Sequence, residues 1–242
     1  MINLVFPMGG RGGRFARKGY RLPKPMIEVL GKPIVEHTLD SYTVEGRYIF
    51  VALREHLEEG LGSLLQRLRP EATIIPIDGV TDGPVCTVLK ARDLIDNEDE
   101  LLIADCDSVL VWPDRWVIEW FKKRGATGGV TTRITENPHC SYAALDAQGW
   151  VLETREKDPF TMFSTTGPYW WRQGRDFVAV AEQAIARNQR SRGEFYVSPL
   201  YNDHIASGGR VLAYPLAEFW SLGTPDDVDC FVNAHQAVAS VK

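Results

Sequence analysis

The chain has 242 residues, 44% of them apolar, and a formal net charge of −5. That length and apolar content suit one α/β domain with a buried core, and the acidic balance argues against a general nucleic-acid binder. Cys86, Cys106, Cys140 and Cys230 lie far apart without Cys-x-x-Cys spacing, which is neither a zinc pattern nor a disulfide framework. No apolar run reaches membrane-spanning length and no charged leader with a cleavage site precedes the first strand, so a cytoplasmic protein with reduced thiols and no membrane or nucleic-acid partner is expected.

The first element is a strand over Ile2 to Phe6. It runs into Met8, Gly9, Gly10, Arg11, Gly12 and Gly13, then Arg14 and Phe15, and then Leu22-Pro23-Lys24-Pro25-Met26. Glycines let the backbone turn with positive φ and approach a ligand closely, and successive N–H groups in such a turn make a concave anion site. Arg11, Arg14, Arg17, Lys18, Arg21 and Lys24 fall in this stretch with no acid among them, a local excess of positive charge in an acidic chain. A short extended piece follows at Met26 to Val29. Pro33 opens a helix whose inward face is Ile34, Val35, Thr38, Leu39 and Tyr42; His37 within it reads as structural. The continuous apolar run Tyr48 to Leu53 predicts a strand buried on both faces. Leu57, Leu61, Leu64, Leu65 and Leu68 predict a helix ended by Pro70, and Thr73 to Ile77 a third strand.

That strand ends in Asp78-Gly79-Val80-Thr81-Asp82-Gly83-Pro84, a turn that should lie at the carboxyl edge of the sheet, where ligands of open α/β sheets bind. Asp78 and Thr81 either contact a base or ribose or simply cap the helix from Val85 to Leu94. Glu100 to Ala104 is a fourth strand leading into Asp105-Cys106-Asp107, and carboxylates there suit Mg²⁺. Asp105 points to the opposite face if the strand pleat continues, and is given to the nucleotide. A helix over Trp112 to Arg124 carries Trp116, Trp120 and Phe121 on its apolar side, and Thr127 to Ile134 is a strand. A hairpin is predicted at Tyr142 to Glu153, a strand at Thr166 to Trp171, a helix over Arg175 to Asn188 and a strand at Val211 to Pro215. In the last segment Thr224 is the expected N-cap, with Pro225 at the first helical position and Asp226 and Asp227 at the positive end.

Two familiar glycine motifs fail. A Walker loop needs Ser or Thr after its Lys, and Lys32 is followed by Pro33; a dinucleotide fingerprint needs Gly or Ala where Phe15 stands. Gly-Gly-x-Gly-x-Arg followed by Pro-Lys-Pro-Met and Gly-Lys-Pro instead resembles the signature loop of the sugar-phosphate nucleotidyltransferases. The resemblance runs in family order from Ile2 to about Asp229.

The resemblance implies a Rossmann-like α/β three-layer sandwich with a mostly parallel central sheet. It implies one domain over residues 1–242, with an inserted β-rich acceptor lobe at about residues 135–200. It implies a Mg²⁺-dependent reaction in which a phosphomonoester, such as a sugar 1-phosphate, attacks a nucleoside triphosphate and releases pyrophosphate. By motif position Arg14 and Lys24 are the catalytic cations; Met8, Gly9, Gly10, Arg11, Gly12, Gly13 and Gly83 border the nucleotide; Lys157, Gly167 and Glu194 contact the acceptor. By alignment Asp107 is the metal ligand. The chain departs from the family pattern in four places: no Gln precedes Gly83, Cys106 stands where Gly is usual, Asp158 stands where Pro usually follows Lys157, and Ser221 replaces a metal-binding Asp. Ser cannot supply that charge, which leaves phosphates and water, or Asp105, Glu218 or Asp226. A nucleotide-sensing module without catalysis and a cytidylyltransferase for a non-sugar phosphate are the other readings; a homo-oligomer is compatible with any of the three.

Overall fold

The computed structural model describes residues 1–239. Its strands are β1 (Ile2–Met8), the short pair β2 (Glu28–Val29) and β3 (Lys32–Pro33), β4 (Arg47–Leu53), β5 (Thr73–Ile77), β6 (Glu100–Ile103), β7 (Ser108–Val111), β8 (Gly128–Ile134), β9 (Ser141–Leu145), β10 (Val151–Glu156), β11 (Phe163–Trp171), β12 (Val211–Pro215) and β13 (Glu218–Ser221). Nine of them form one sheet. β6, β1, β4 and β5 run parallel to one another, β11 lies antiparallel between β6 and β8, and β8 pairs in parallel with β12. β9 joins the N-terminal end of β11, and β10 follows it, so the strands of residues 135–200 extend the same sheet. The central sheet is thus mostly parallel and the fold is mixed α/β.

The parallel strands are apolar on both sides because helices cover both faces. In β1, Leu4, Phe6 and Met8 enter one core while Val5 enters the other. β4 divides in the same way, with Phe50 and Ala52 on one side and Ile49, Val51 and Leu53 on the other. Burying each such side chain contributes about 1.5–3 kcal/mol before the entropy of ordering it is counted. In β11, Trp170 stacks on Phe121 beneath the helix Asp114–Lys123, whereas Trp171 stacks on Tyr201 at 4.6 Å. A third apolar cluster ties Phe15 and Ile34 to Leu222, Val228 and Phe231, and so docks the C-terminal helix against the glycine loop.

Several elements differ from expectation. The leucine helix begins at Arg54 and is interrupted by a wider turn at Leu57–Leu61, where Gly60 has φ 114°. β7 and β13 pair antiparallel, and a helix occupies Leu200–Ala206; neither was apparent in the sequence. Trp116 is 56% exposed, so only Phe121 of that aromatic trio is fully in the core. Thr224 does cap the last helix: its hydroxyl accepts the Asp227 N–H at 3.1 Å.

His204, on the Leu200–Ala206 helix, is buried against Trp171, and its Nε2 meets the Thr127 hydroxyl at 2.8 Å. Burial lowers its pKa below the ordinary 6.5, with Asp176 opposing weakly. The unfolded chain therefore takes up a proton first as pH falls. Stability is expected to decrease on going below pH ~6.5 and to level off below the folded pKa. Urea unfolding of His204→Gln between pH 7.5 and 5 should show a shallower decline than the parent; an identical slope would contradict this.

Candidate functional site

β1, β4, β5 and β6 all end at one edge of the sheet, and a cleft of about 850 Å³ opens there. Its floor is the segment after β6. Asp107 forms an ion pair with Lys24, and each side chain is about one-fifth exposed. Lys24 opens a single 3-10 turn, Lys24–Met26, between Pro23 and the buried Pro25. Gly12, at φ 64°, packs against it: a Cβ there would come 3.1 Å from Lys24 Cβ. The left-handed turn of the glycine loop thus allows the lysine to pass beneath it toward the carboxylates. Burial alone would lower the ammonium pKa, but the charge and hydrogen bond of Asp107, with Cys106 and Asp105 beside it, together outweigh it, and Lys24 is held firmly protonated.

Asp105 and Asp107 both line the cleft. The expectation that Asp105 would lie on the opposite face is corrected here. β6 ends at Ile103, and positions two apart share a face in any case. Asp105 is exposed within the cleft; crowding of its carboxyl by the surrounding walls, and then the Asp107 charge, push its pKa up to about 7 against the pull of Lys24. Cys106 between them is buried, its thiol pushed up to about 12 chiefly by that burial, and is a neutral spacer.

The opposite wall comes from β11. Its pairing with β8 shifts register between Thr165 and Tyr169, a bulge that also accommodates Pro168, which has no N–H to give. Gly167 in the bulge has φ 103° and presses on Asp105, so a Cβ there would collide with the carboxylate. Lys157, just after β10, has φ 52°. Its Nζ donates to the Tyr196 hydroxyl at 2.5 Å and lies 3.7 Å from Glu156, whose nearly buried carboxyl is raised by burial while Ser141 and Lys157 oppose.

Where the family pattern has an acid, Ser221 donates to Asp227 Oδ2 at 3.0 Å and accepts the Gly223 N–H at 3.2 Å. The Leu222 N–H donates to the Asp107 carbonyl at 2.7 Å, hooking this turn onto the carboxylate segment. Asp227 therefore reaches the cleft beside Ser221, a placement the sequence reading did not assign; being six residues away, it had been credited only to the helix dipole. Arg133, another cleft residue, was read simply as part of a strand.

The remaining site candidates are distributed as follows. Arg14 lines the cleft with Arg17 and Lys18, of which Lys18 reaches Asp226 at 3.8 Å. Met8 is buried, Gly9 abuts Thr87, Gly10 has open space about it, Gly13 begins a five-residue helix, and Arg11 pairs with Glu55 at 3.0 Å. Asp78 and Thr81 line a second hollow of about 720 Å³ rather than the cleft. Asp78 pairs with Arg54 at 2.6 Å; the Thr81 hydroxyl donates to the Gly83 carbonyl at 3.0 Å and meets that of Thr87 at 2.6 Å. Gly83 backs onto Phe195, and the exposed Glu194 beside it stands outside the cleft lining. Thr87 touches both Gly9 and Thr81, so the glycine loop and the turn after β5 are neighbours.

Among the described residues no three His, Cys, Asp or Glu side chains converge as an all-protein metal cage. The donors present are hard carboxylate oxygens, with the Asp107 charge opposing ionisation of Asp105. That set fits Mg²⁺, which is commonly held by one or two carboxylates together with phosphate oxygens and water.

No protein-family model matches the chain. It is 24% identical over 233 residues, 94% of its length, to the bifunctional protein GlmU of Methanocaldococcus jannaschii, of which it covers 52%. It is 25% identical over 247 residues to the low-salt glycan biosynthesis nucleotidyltransferase Agl11 of Haloferax volcanii, covering 98% of this chain and 66% of the relative. The chain spans about half the length of the GlmU relatives it matches. Its fold superposes with TM-score 0.82 on a nucleoside-diphosphate-sugar pyrophosphorylase from Vibrio cholerae, at 23% identity, covering 95% of this chain and 99% of the other. The resemblance to sugar-phosphate nucleotidyltransferases therefore extends beyond the signature loop, to the length of the chain in sequence and to its fold.

Gly167→Ala forces both the strained φ and the collision with Asp105, and is expected to lower unfolding free energy in urea by about 1–3 kcal/mol. Adding Asp105→Ala should recover part of the loss. Strict additivity of the two substitutions would show that the contact is not what makes Gly necessary.

Proposed function

We propose that this chain is a sugar-phosphate nucleotidyltransferase: it joins a nucleoside triphosphate to a sugar 1-phosphate or similar phosphomonoester, forming a nucleotide-sugar and releasing pyrophosphate. The observation that carries the reading is the Lys24–Asp107 pair at the carboxyl edge of the sheet, with Gly12 packed on the lysine and the Asp107 carboxylate lining the same cleft as Lys157. The similarity to the nucleotidyltransferase Agl11 and the fold shared with a nucleoside-diphosphate-sugar pyrophosphorylase support it.

In this reading an oxygen of the acceptor phosphate attacks the α-phosphorus, and the bond from that phosphorus to the pyrophosphate oxygen breaks. The attacking phosphate is already an anion, so no general base is required. The task is to align two polyanions and offset their repulsion. Arg14 takes the β- and γ-phosphates as they depart, Lys24 stays charged through the reaction, and Lys157 holds the acceptor phosphate. Met8 to Gly13 border the triphosphate, and Thr81 and Gly83 adjoin the glycine loop through Thr87 on the side of the base, whereas Asp78 is taken up by Arg54 in the second hollow. Gly167 leaves room for the acceptor, and Glu194 closes on its hydroxyls from the rim. Asp107 and Asp105 are the residues that would hold Mg²⁺, with Asp227 beside Ser221 supplying charge from the second side; bound there, the ion adds positive charge to the triphosphate.

Residues 135–200 form the acceptor side of the cleft in this account. The free thiols, together with the absence among the described residues of a helix able to cross a membrane, support a cytoplasmic setting.

Pyrophosphate release is to be measured with Mg²⁺ over the common nucleoside triphosphates against several sugar 1-phosphates and phosphocholine. Release is expected with a sugar 1-phosphate, and release only with phosphocholine would move the assignment to a non-sugar acceptor. Binding of a triphosphate with no release in any combination would favour a sensing module. Arg14→Ala and Lys24→Met are each expected to lower kcat by about 10²–10³ with far less effect on Tm, and Asp107→Asn to remove the Mg²⁺ dependence. Turnover at the parent rate in these variants would contradict the assigned roles.

A further inference from the structure

Arg133 sits at the end of β8, on the acceptor side of the cleft. Its guanidinium carbon lies over the Phe219 ring, 4.4 Å from the centroid. Nη2 is 3.9 Å from the Cys140 thiol, a weak acceptor, and Nε is buried with no acceptor at all. Among the described residues no carboxylate pairs with it. Some surface arginines, Arg54, Arg155 and Arg190 among them, pair with an acid, and those that do not can keep their charge in water; Arg133 is half-buried with its Nε enclosed. A guanidinium drawn partly out of water and left without a counter-ion is costly unless an anion completes it.

A second cation stands close by. The Lys157 N–H donates to the Cys140 carbonyl at 3.0 Å, so Arg133 and Lys157 flank the same residue. Lys157 is partly balanced by Glu156 at 3.7 Å; Arg133 has no such balance. The two also differ in kind. An ammonium is a point charge suited to a phosphate oxygen, whereas a planar guanidinium presents a fork matched to a planar carboxylate.

Resting on the nucleotidyltransferase reading, we propose that Arg133 determines acceptor specificity, and that the acceptor carries a carboxylate as well as its phosphate: a phosphorylated sugar acid. Lys157 takes the phosphate and Arg133 takes the carboxylate. A neutral sugar phosphate would leave Arg133 desolvated and uncompensated, so the site discriminates against it.

The test compares glucuronic and galacturonic acid 1-phosphates with glucose and galactose 1-phosphates, in the parent enzyme, Arg133→Gln and Arg133→Lys. The parent is expected to favour at least one acid over its neutral counterpart by about tenfold or more in kcat/KM. Arg133→Gln should abolish that preference, raising KM for the acid and lowering it for the neutral acceptor, which no longer strands a desolvated charge. Arg133→Lys should restore part of it, which also controls for a folding defect. Equal use of acid and neutral acceptors by the parent, or an equal loss for both in Arg133→Gln, overturns the proposal. If no acceptor reacts with any triphosphate, the nucleotidyltransferase reading fails, and calorimetric binding of the same four compounds decides separately. Tighter binding of an acid than of its neutral partner, lost in Arg133→Gln, still supports the carboxylate subsite; equal or undetectable binding overturns it.

Discussion

The cleft depends on the ion pair between Lys24 and Asp107. A lysine in this setting would ordinarily shed its charge to avoid burial, yet the adjacent carboxylate holds it protonated. Bringing the two together needs the left-handed turn at Gly12 above the lysine, the proline-flanked 3-10 turn that starts at Lys24, and the end of β6 that delivers Asp107. None of these segments has an obvious reason for its shape apart from the others. The third apolar cluster fastens them by packing Phe15 of the loop against Leu222 and the C-terminal helix.

Around this pair the cleft keeps opposite charges apart without neutralising them. Asp105, Asp107 and Asp227 gather toward the floor and the Ser221 turn, while Arg14, Arg17, Lys157 and Arg133 are spread over the walls. Unlike charges left uncollapsed at short range mark a site prepared for ligands that carry both signs between them, such as a polyphosphate and a divalent cation. The raised pKa of Asp105 follows from the same arrangement. Desolvation of its carboxyl in the cleft is the main cause, and the Asp107 charge beside it adds to the shift against the pull of Lys24.

Much of this was legible in the sequence because the relevant signals are local. Continuous apolar runs identified β4 and β6, and the ordered glycine, arginine and Pro-Lys-Pro pattern pointed to Arg14 and Lys24. What escaped was determined by tertiary placement. β13 is four residues long and carries no clear alternation, so its pairing with β7 emerges only in the fold. Asp227 looked like an ordinary first-turn acid of a helix, and nothing local said that the turn at Ser221 would bring it to the cleft. Arg133 was one polar residue at the end of a strand until Phe219 was seen beneath it. Asp78 and Thr81 occupy the turn expected of them, but that turn opens into a different hollow, and only Thr87 connects it to the glycine loop.

The central claim is that Lys24 holds Asp107 ready for a cation that arrives with phosphate, and a calorimetric titration of Mg²⁺ into the nucleotide-free protein tests it most directly. Removing the competing ammonium in Lys24→Met should tighten Mg²⁺ binding by at least about tenfold, ~1.4 kcal/mol. The same variant should lose affinity for the Mg²⁺–triphosphate complex. Unchanged or weaker Mg²⁺ binding by Lys24→Met would contradict the account, because Asp107 would then not be the carboxylate that lysine and metal exchange.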